Sequence, residues 1–166
     1  MKLSFRILFI LLLILPFISD TKAQTLKGMQ SKMTTVTLRL RPKDDLKLKL
    51  EELVKRDGIK AACIITCVGS LDVAAIRFAN LPETTLLPGK LEIVSLTGTL
   101  AESGLHIHIS VSDSSGKTTG GHLQEGSLIY TTAEIVLGIL PDIEFSRKTD
   151  STYGYKELDV KARAKR

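Results

Sequence analysis

Cysteine is scarce in this 166-residue chain, with Cys63 and Cys67 the only two. They lie four apart in the apolar run Ala61 to Val68. In an extended strand that spacing is about 13 Å, at ~3.3 Å per residue. Disulfide Cα pairs rarely exceed ~7 Å, which argues against a bridge between them, and the spacing fits no common zinc pattern. Both cysteines read as small buried apolar residues. Long apolar runs are also missing: Ile7 to Ile18 holds about 12 residues, short of the ~20 that span a bilayer. There is no Gly-rich phosphate loop of the Walker or Rossmann type and no serine-nucleophile motif. Ser70 after Gly69 reads as an ordinary turn residue. No internal repeat and no low-complexity segment is visible.

The amino end has the layout of an export signal. Lys2 and Arg6 give a positive start, the apolar run follows, and Thr21 and Ala23 place small residues where a signal peptidase cuts. Residues 1–23 are therefore expected to be a signal peptide, with an uncleaved anchor as the alternative. No cysteine at that point marks a lipoprotein. The expected address is a periplasm or the extracellular space, with no membrane span after cleavage. Residues 24–32 read as a flexible lead-in, and residues 158–166 as a basic tail. Residues 1–23 hold three cations and one carboxylate, so the formal net charge falls from +5 to +3 without them. Residues 161–166 add four more cations, which leaves residues 24–160 at −1. The basic balance belongs to the two ends and makes no case for a nucleic-acid face.

About 140 mature residues suit one domain. Met33 to Arg41 alternates like a half-buried strand, and Pro42 ends it. Asp44 or Asp45 can cap a helix with Leu46, Leu50, Leu53 and Val54 on one stripe, closed by Gly58. From Ile59 onward nearly everything reads as strand: 61–68, a turn at 69–72, then 73–79. A loop at 80–89 precedes Leu91 to Leu100, where Gly98 suggests a bulge. Strands at roughly 104–112 and 117–124 follow, then 127–140 and a short strand at 143–145. Weak order is expected from Asp150 to Arg166, with Tyr153 and Tyr155 able to dock on the body. The expected fold is α+β: a mostly antiparallel sheet of six or seven strands with one main helix, in a single domain.

Histidine is nearly as scarce as cysteine, but all three histidines fall in one stretch: His106, His108 and His122. His106 and His108, two apart, face the same side of a strand. Asp113 to Lys117 reads as a hairpin with a three-residue loop, Gly116 taking the left-handed position after a type I turn. That loop pairs Asp113 with Lys117 and sets His108 opposite His122. Directly paired residues share a face with Cα atoms roughly 4.5–5.5 Å apart, so the three imidazoles share one side. A one-residue slip in the turn would send His122 to the other side. Convergent imidazoles are a common way to hold a transition metal, zinc above all. The plainer alternative is three histidines lining a polar pocket or subunit interface without metal.

An enzyme built on these histidines also needs a positioned base. Glu125 and Glu102 are the nearest carboxylates in sequence, and neither spacing matches a metallohydrolase motif. Gly120 and Gly121 admit two readings, close approach of a ligand or relief of crowding between strands. Arg77 and Glu92 are candidates for a structural ion pair, within the core or across subunits.

Several motifs together resemble the PPC domain, shared by plant AT-hook proteins and stand-alone prokaryotic proteins. They are Val68 to Leu71 (VGSL) leading to Arg77 and Phe78, Gly89 to Gly98 (GKLEIVSLTG) and Leu105 to His108 (LHIH). Gly120 to Leu123 (GGHL) and Thr132 to Gly138 (TAEIVLG) complete the series. The resemblance covers residues 33–157. It implies a homotrimer and, in prokaryotic members, a metal, zinc first, at the matching positions, here His106, His108 and His122. In plant members the domain mediates association, while separate AT-hooks grip DNA. The nearest string here, Arg39-Leu40-Arg41-Pro42, lacks the AT-hook glycine and sits in a strand. The expected function is thus an exported, non-catalytic, metal- or ligand-binding homotrimer with no nucleic-acid partner. A zinc-dependent hydrolase-type enzyme is one alternative, and a DNA-associated interaction domain, by family analogy, the other.

Overall fold

A computed structural model describes residues 28–164. The proposed signal peptide, residues 1–23, lies outside them. No helix among the described residues is long and apolar enough to cross a membrane. The chain forms β1 (Thr34–Leu40), α1 (Leu46–Arg56), β2 (Ala62–Arg77), β3 (Thr84–Ala101) and β4 (Gly104–Ser112). β5 (Thr118–Leu123), β6 (Leu128–Ile139), β7 (Ile143–Thr149) and β8 (Lys156–Ala162) complete it. The fold is α+β, a six-stranded antiparallel sheet and a two-stranded β7–β8 hairpin with one helix.

Local chemistry sets the helix. The Asp45 carboxylate accepts from the backbone N–H of Lys47 and Leu48, at 3.0 and 3.1 Å, which satisfies orphan donors of the first turn. Lys55 and Arg56 complement the dipole at the other end. Leu46, Leu50, Leu53 and Val54 are buried as the stripe predicts, while Leu48 is exposed.

The sheet runs in the order β1-β6-β2-β3-β4-β5, and β5 also pairs with β2. That extra pairing, Ile76↔Leu123 and Arg77↔His122, closes β2, β3, β4 and β5 on one another. Closure needs bent strands, and β2 bends through register shifts at Ile64/Thr66, Gly69/Leu71 and Leu71/Val73. Leu71, Ile76, Leu96, Ile107, Ile109, Val111 and Leu123 fill the enclosed core.

Several sequence expectations change here. Gly69 to Asp72 is no chain-reversing turn but the bent middle of one 16-residue strand. Gly69 serves close approach, since a Cβ there would lie 2.1 Å from the Thr132 carbonyl oxygen of β6. The expected loop at 80–89 is largely strand, because Thr84 to Pro88 pairs with Val73 to Arg77. Gly98 sits opposite Ile107 in regular register, and the β3 irregularity falls at Ile93/Ser95 instead.

The end of the chain is more ordered than its composition suggests. β8 pairs along its length with β7, from Ile143↔Ala162 to Thr149↔Lys156, so residues 158–162 are strand rather than tail. Ile143 and Phe145 pack with Ala61, Ala101 and Val160 in a second small core. Tyr153 and Tyr155 remain exposed. The end of the lead-in is tied down: Lys32 N–H donates to the Asp142 carboxylate at 2.7 Å, and Asp142 N–H to Ser31 Oγ at 3.1 Å.

Candidate metal centre

The loop after β4 fixes the register that brings the histidines together. Asp113 N–H donates to the Lys117 carbonyl at 3.1 Å, Gly116 N–H donates to the Asp113 carbonyl at 2.9 Å, and Gly116 has φ +81°. The Asp113 carboxylate accepts from the Ser115 and Lys117 N–H groups, at 2.8 and 3.1 Å. The ladder then pairs Ser112↔Thr118 through to His108↔His122, as the sequence predicts.

Ile107 and Ile109 point into the core, so His106 and His108 project from the outer face of β4. His122 joins them from β5. Ring centroids are 5.0 Å apart for His106–His108, 5.2 Å for His106–His122 and 4.5 Å for His108–His122. One ligand nitrogen from each ring lies within 4.8 Å of the others. Nitrogens around a tetrahedral zinc are ~3.3 Å apart for bonds of ~2.0–2.1 Å. Small side-chain rotations close that gap. The donor set therefore fits a divalent transition ion with one position open to the outside.

The surroundings favour the neutral form of His106 and His122. Partial loss of water pushes the His106 pKa below its ordinary value, helped by the charges of His108, Arg147 and Arg77, while Glu157 acts the other way. His122 is lowered first by the same desolvation, then by Arg77, His108 and His106. Neutral imidazole is the form that binds metal.

The neighbouring glycines relieve crowding. A Cβ on Gly121 would lie 2.7 Å from the Arg77 carbonyl oxygen, and one on Gly120 2.7 Å from that of Ile109. Bare backbone lets β5 fit between β4 and β2, and that fit carries His122 into place.

Neither glutamate near the histidines in sequence belongs to the cluster. Glu102 pairs with Lys60, and Glu125 with Lys47 at 3.2 Å. Among the described residues no Arg77–Glu92 ion pair forms within the chain; Arg77 Nη1 donates to the Leu81 carbonyl at 3.2 Å. The structure adds two residues that sequence reasoning missed. Arg147 Nη2 of β7 donates to Thr99 Oγ1 of β3 at 2.7 Å, and Thr99 is the Cα partner of His106. Arg147 and Thr99 are 48 residues apart, and no local pattern links them. A cleft of about 900 Å³ opens here, lined by Arg77, His106, His122, Arg147, Tyr155 and Glu157 among others.

A closed antiparallel sheet with three imidazoles on its outer face defines an α+β domain with a candidate metal centre. The chain belongs to the Plants and Prokaryotes Conserved (PCC) domain family, whose model matches residues 27–141. The β7–β8 hairpin, with Arg147, follows that span. The chain is 46% identical over 123 residues to a bifunctional protein GlmU of Synechococcus sp., covering 74% of this chain and 20% of that protein. It thus spans about a fifth of the length of the curated relatives it matches. A hypothetical protein from Salmonella cholerae-suis has the same fold at TM-score 0.81 and 38% identity, over 83% of this chain and 100% of that one. A metal-containing protein from Archaeoglobus fulgidus superposes at TM-score 0.69 and 26% identity, over 80% and 99% of the two chains.

Proposed function

We propose that this PCC-domain protein is an exported homotrimer that binds one transition metal ion per chain, zinc first, through His106, His108 and His122. One observation carries the metal site: three imidazole ligand atoms within 4.8 Å of one another on a common face. His106 and His122, partly desolvated and with lowered pKa values, suit that role. The similarity to a protein described as metal-containing supports it further. Bound there, the ion would supply Lewis acidity at its open position.

The role is non-catalytic. Glu102 and Glu125, the carboxylates nearest the histidines in sequence, are held by lysines and do not serve the cluster. The chain's own residues hold the ion and offer a cleft for a small ligand.

Elemental analysis of protein purified without an affinity tag tests the metal. About one zinc per wild-type chain is expected, and His108→Ala should lose most of it. Wild-type protein that takes up no divalent metal after incubation and desalting overturns the proposal. Sedimentation velocity decides the trimer, and fractionation of the source cells decides the address.

A further inference from the structure

Two guanidinium groups border the histidine cluster, and neither has a carboxylate partner among the described residues. Arg77 comes from β2, where it is the Cα partner of His122. Arg147 comes from β7 and reaches the cluster through Thr99, the partner of His106. One approaches from the β5 side and the other from the β3 side, so they bracket the imidazoles.

Each guanidinium carries five N–H donors. The side-chain hydrogen bonds are one per arginine, Arg77 to the Leu81 carbonyl and Arg147 to the Thr99 hydroxyl, both neutral acceptors. The remaining donors have no protein partner among the described residues, and both arginines line the cleft. The other charges lining it do not cancel this excess. Lys47 is already held by Glu51 and Glu125, Lys156 adds another cation, and Glu157 is the one lining carboxylate. Leu105 and Tyr155 supply apolar wall, and about 900 Å³ is room for a small molecule.

We infer that the cleft takes a small organic anion, whose carboxylate or phosphate monoester is held by Arg77 and Arg147 and whose apolar body lies along Leu105 and Tyr155. Planar guanidiniums match both head groups through paired N–H donors, which a lysine cannot reproduce. The inference rests on the metal proposal for the anion's placement against the imidazoles, but not for its hold on the arginines.

The test is a titration of benzoate, phenyl phosphate and the neutral benzyl alcohol into untagged protein, zinc-loaded and zinc-free. Arginine Nε–Hε resonances report the site, and zinc per chain is measured in parallel. At least one anion should bind with a Kd of about millimolar or tighter, and benzyl alcohol should not shift these resonances. Whichever of the two anions binds tighter names the head group. Arg77→Gln and Arg147→Gln should each weaken it about tenfold or more, at unchanged zinc content. The charge-keeping Arg77→Lys and Arg147→Lys, checked for native thermal unfolding, should fall in between. Equal response to benzyl alcohol, no response to either anion, or full-strength binding in the folded arginine variants overturns the inference. Zinc uptake without an anion response leaves the metal proposal standing alone. Anion binding that follows the arginines in protein that never takes up zinc does the reverse.

Discussion

His108 and His122 face each other as Cα partners across the β4–β5 ladder, with their rings edge to face and centroids 4.5 Å apart. Both belong to short antiparallel strands whose outward positions carry no core packing. A ligand that bridges them therefore ties two strands without disturbing the interior.

Zinc should raise the thermal midpoint of the wild-type protein and leave that of His108→Ala nearly unmoved. A ligand bound to the folded state alone stabilises by about 2.7 kcal/mol at a hundred times its dissociation constant. Without metal the two proteins should unfold within about 0.5 kcal/mol of each other, because His108 is exposed. Differential scanning calorimetry with and without zinc checks both statements. An equal zinc shift in the two proteins would place the ion elsewhere.

Metal-free stability should fall as the solution is acidified. The pKa values of His106 and His122 are lowered in the fold from an ordinary value of 6.5. As pH drops through 6.5 the unfolded chain takes up protons first, so the equilibrium moves toward it. The loss levels off once pH lies below the folded values. Urea midpoints between pH 8 and pH 5 should show this slope, and it should shrink in a His106→Ala/His122→Ala double variant. An unchanged slope in that variant would assign the effect to other groups.

Gly121→Ala should destabilise the protein by about 1–3 kcal/mol. The new methyl would lie 2.7 Å from the Arg77 carbonyl oxygen and 2.8 Å from Ile76 Cγ2, and backbone there cannot retreat cheaply. Separation of β5 from β2 should also weaken zinc binding, although no ligand is removed. Gly116→Ala, in the open hairpin loop with φ +81°, should cost stability through backbone strain alone and spare the metal. Equal zinc affinity in Gly121→Ala and wild type would remove closure from the account of the site.

Cys67 should resist thiol reagents in the native protein. Burial pushes its thiol up to about 11, which leaves little thiolate at pH 8. Cys63 is partly exposed, and both cysteines are free. A disulfide-exchange reagent at pH 8 should therefore label Cys67 rapidly only after unfolding. Fast labelling of both thiols in the folded state would contradict the packing around β2.

Much of the centre was legible because it lies in one hairpin. Asp113, Gly116 and Lys117 specify a turn, the turn specifies register, and register puts His122 beside His108. The α1 stripe was equally local, with Asp45 at one end and Gly58 at the other. What escaped depends on distant neighbours. Gly69 looks like a turn residue in sequence but is there to let β2 pass close to Thr132. Pro82, Pro88 and Gly89 suggest a loop, yet Thr84 to Pro88 is held by pairing with Val73 to Arg77. β8 is polar and of weak intrinsic preference, and its order comes from β7 and the small core around Phe145. Arg147 reaches the histidines only because that hairpin folds across β3, a tertiary event without a local signature.

Because β5 is bonded to β4 on one side and to β2 on the other, the backbone under His122 is fixed before any ion arrives. Metal capture would then freeze only imidazole torsions rather than a whole loop, which would keep the entropic penalty of association small. Such a preorganised scaffold predicts tighter capture of the ion, with little change in chain conformation.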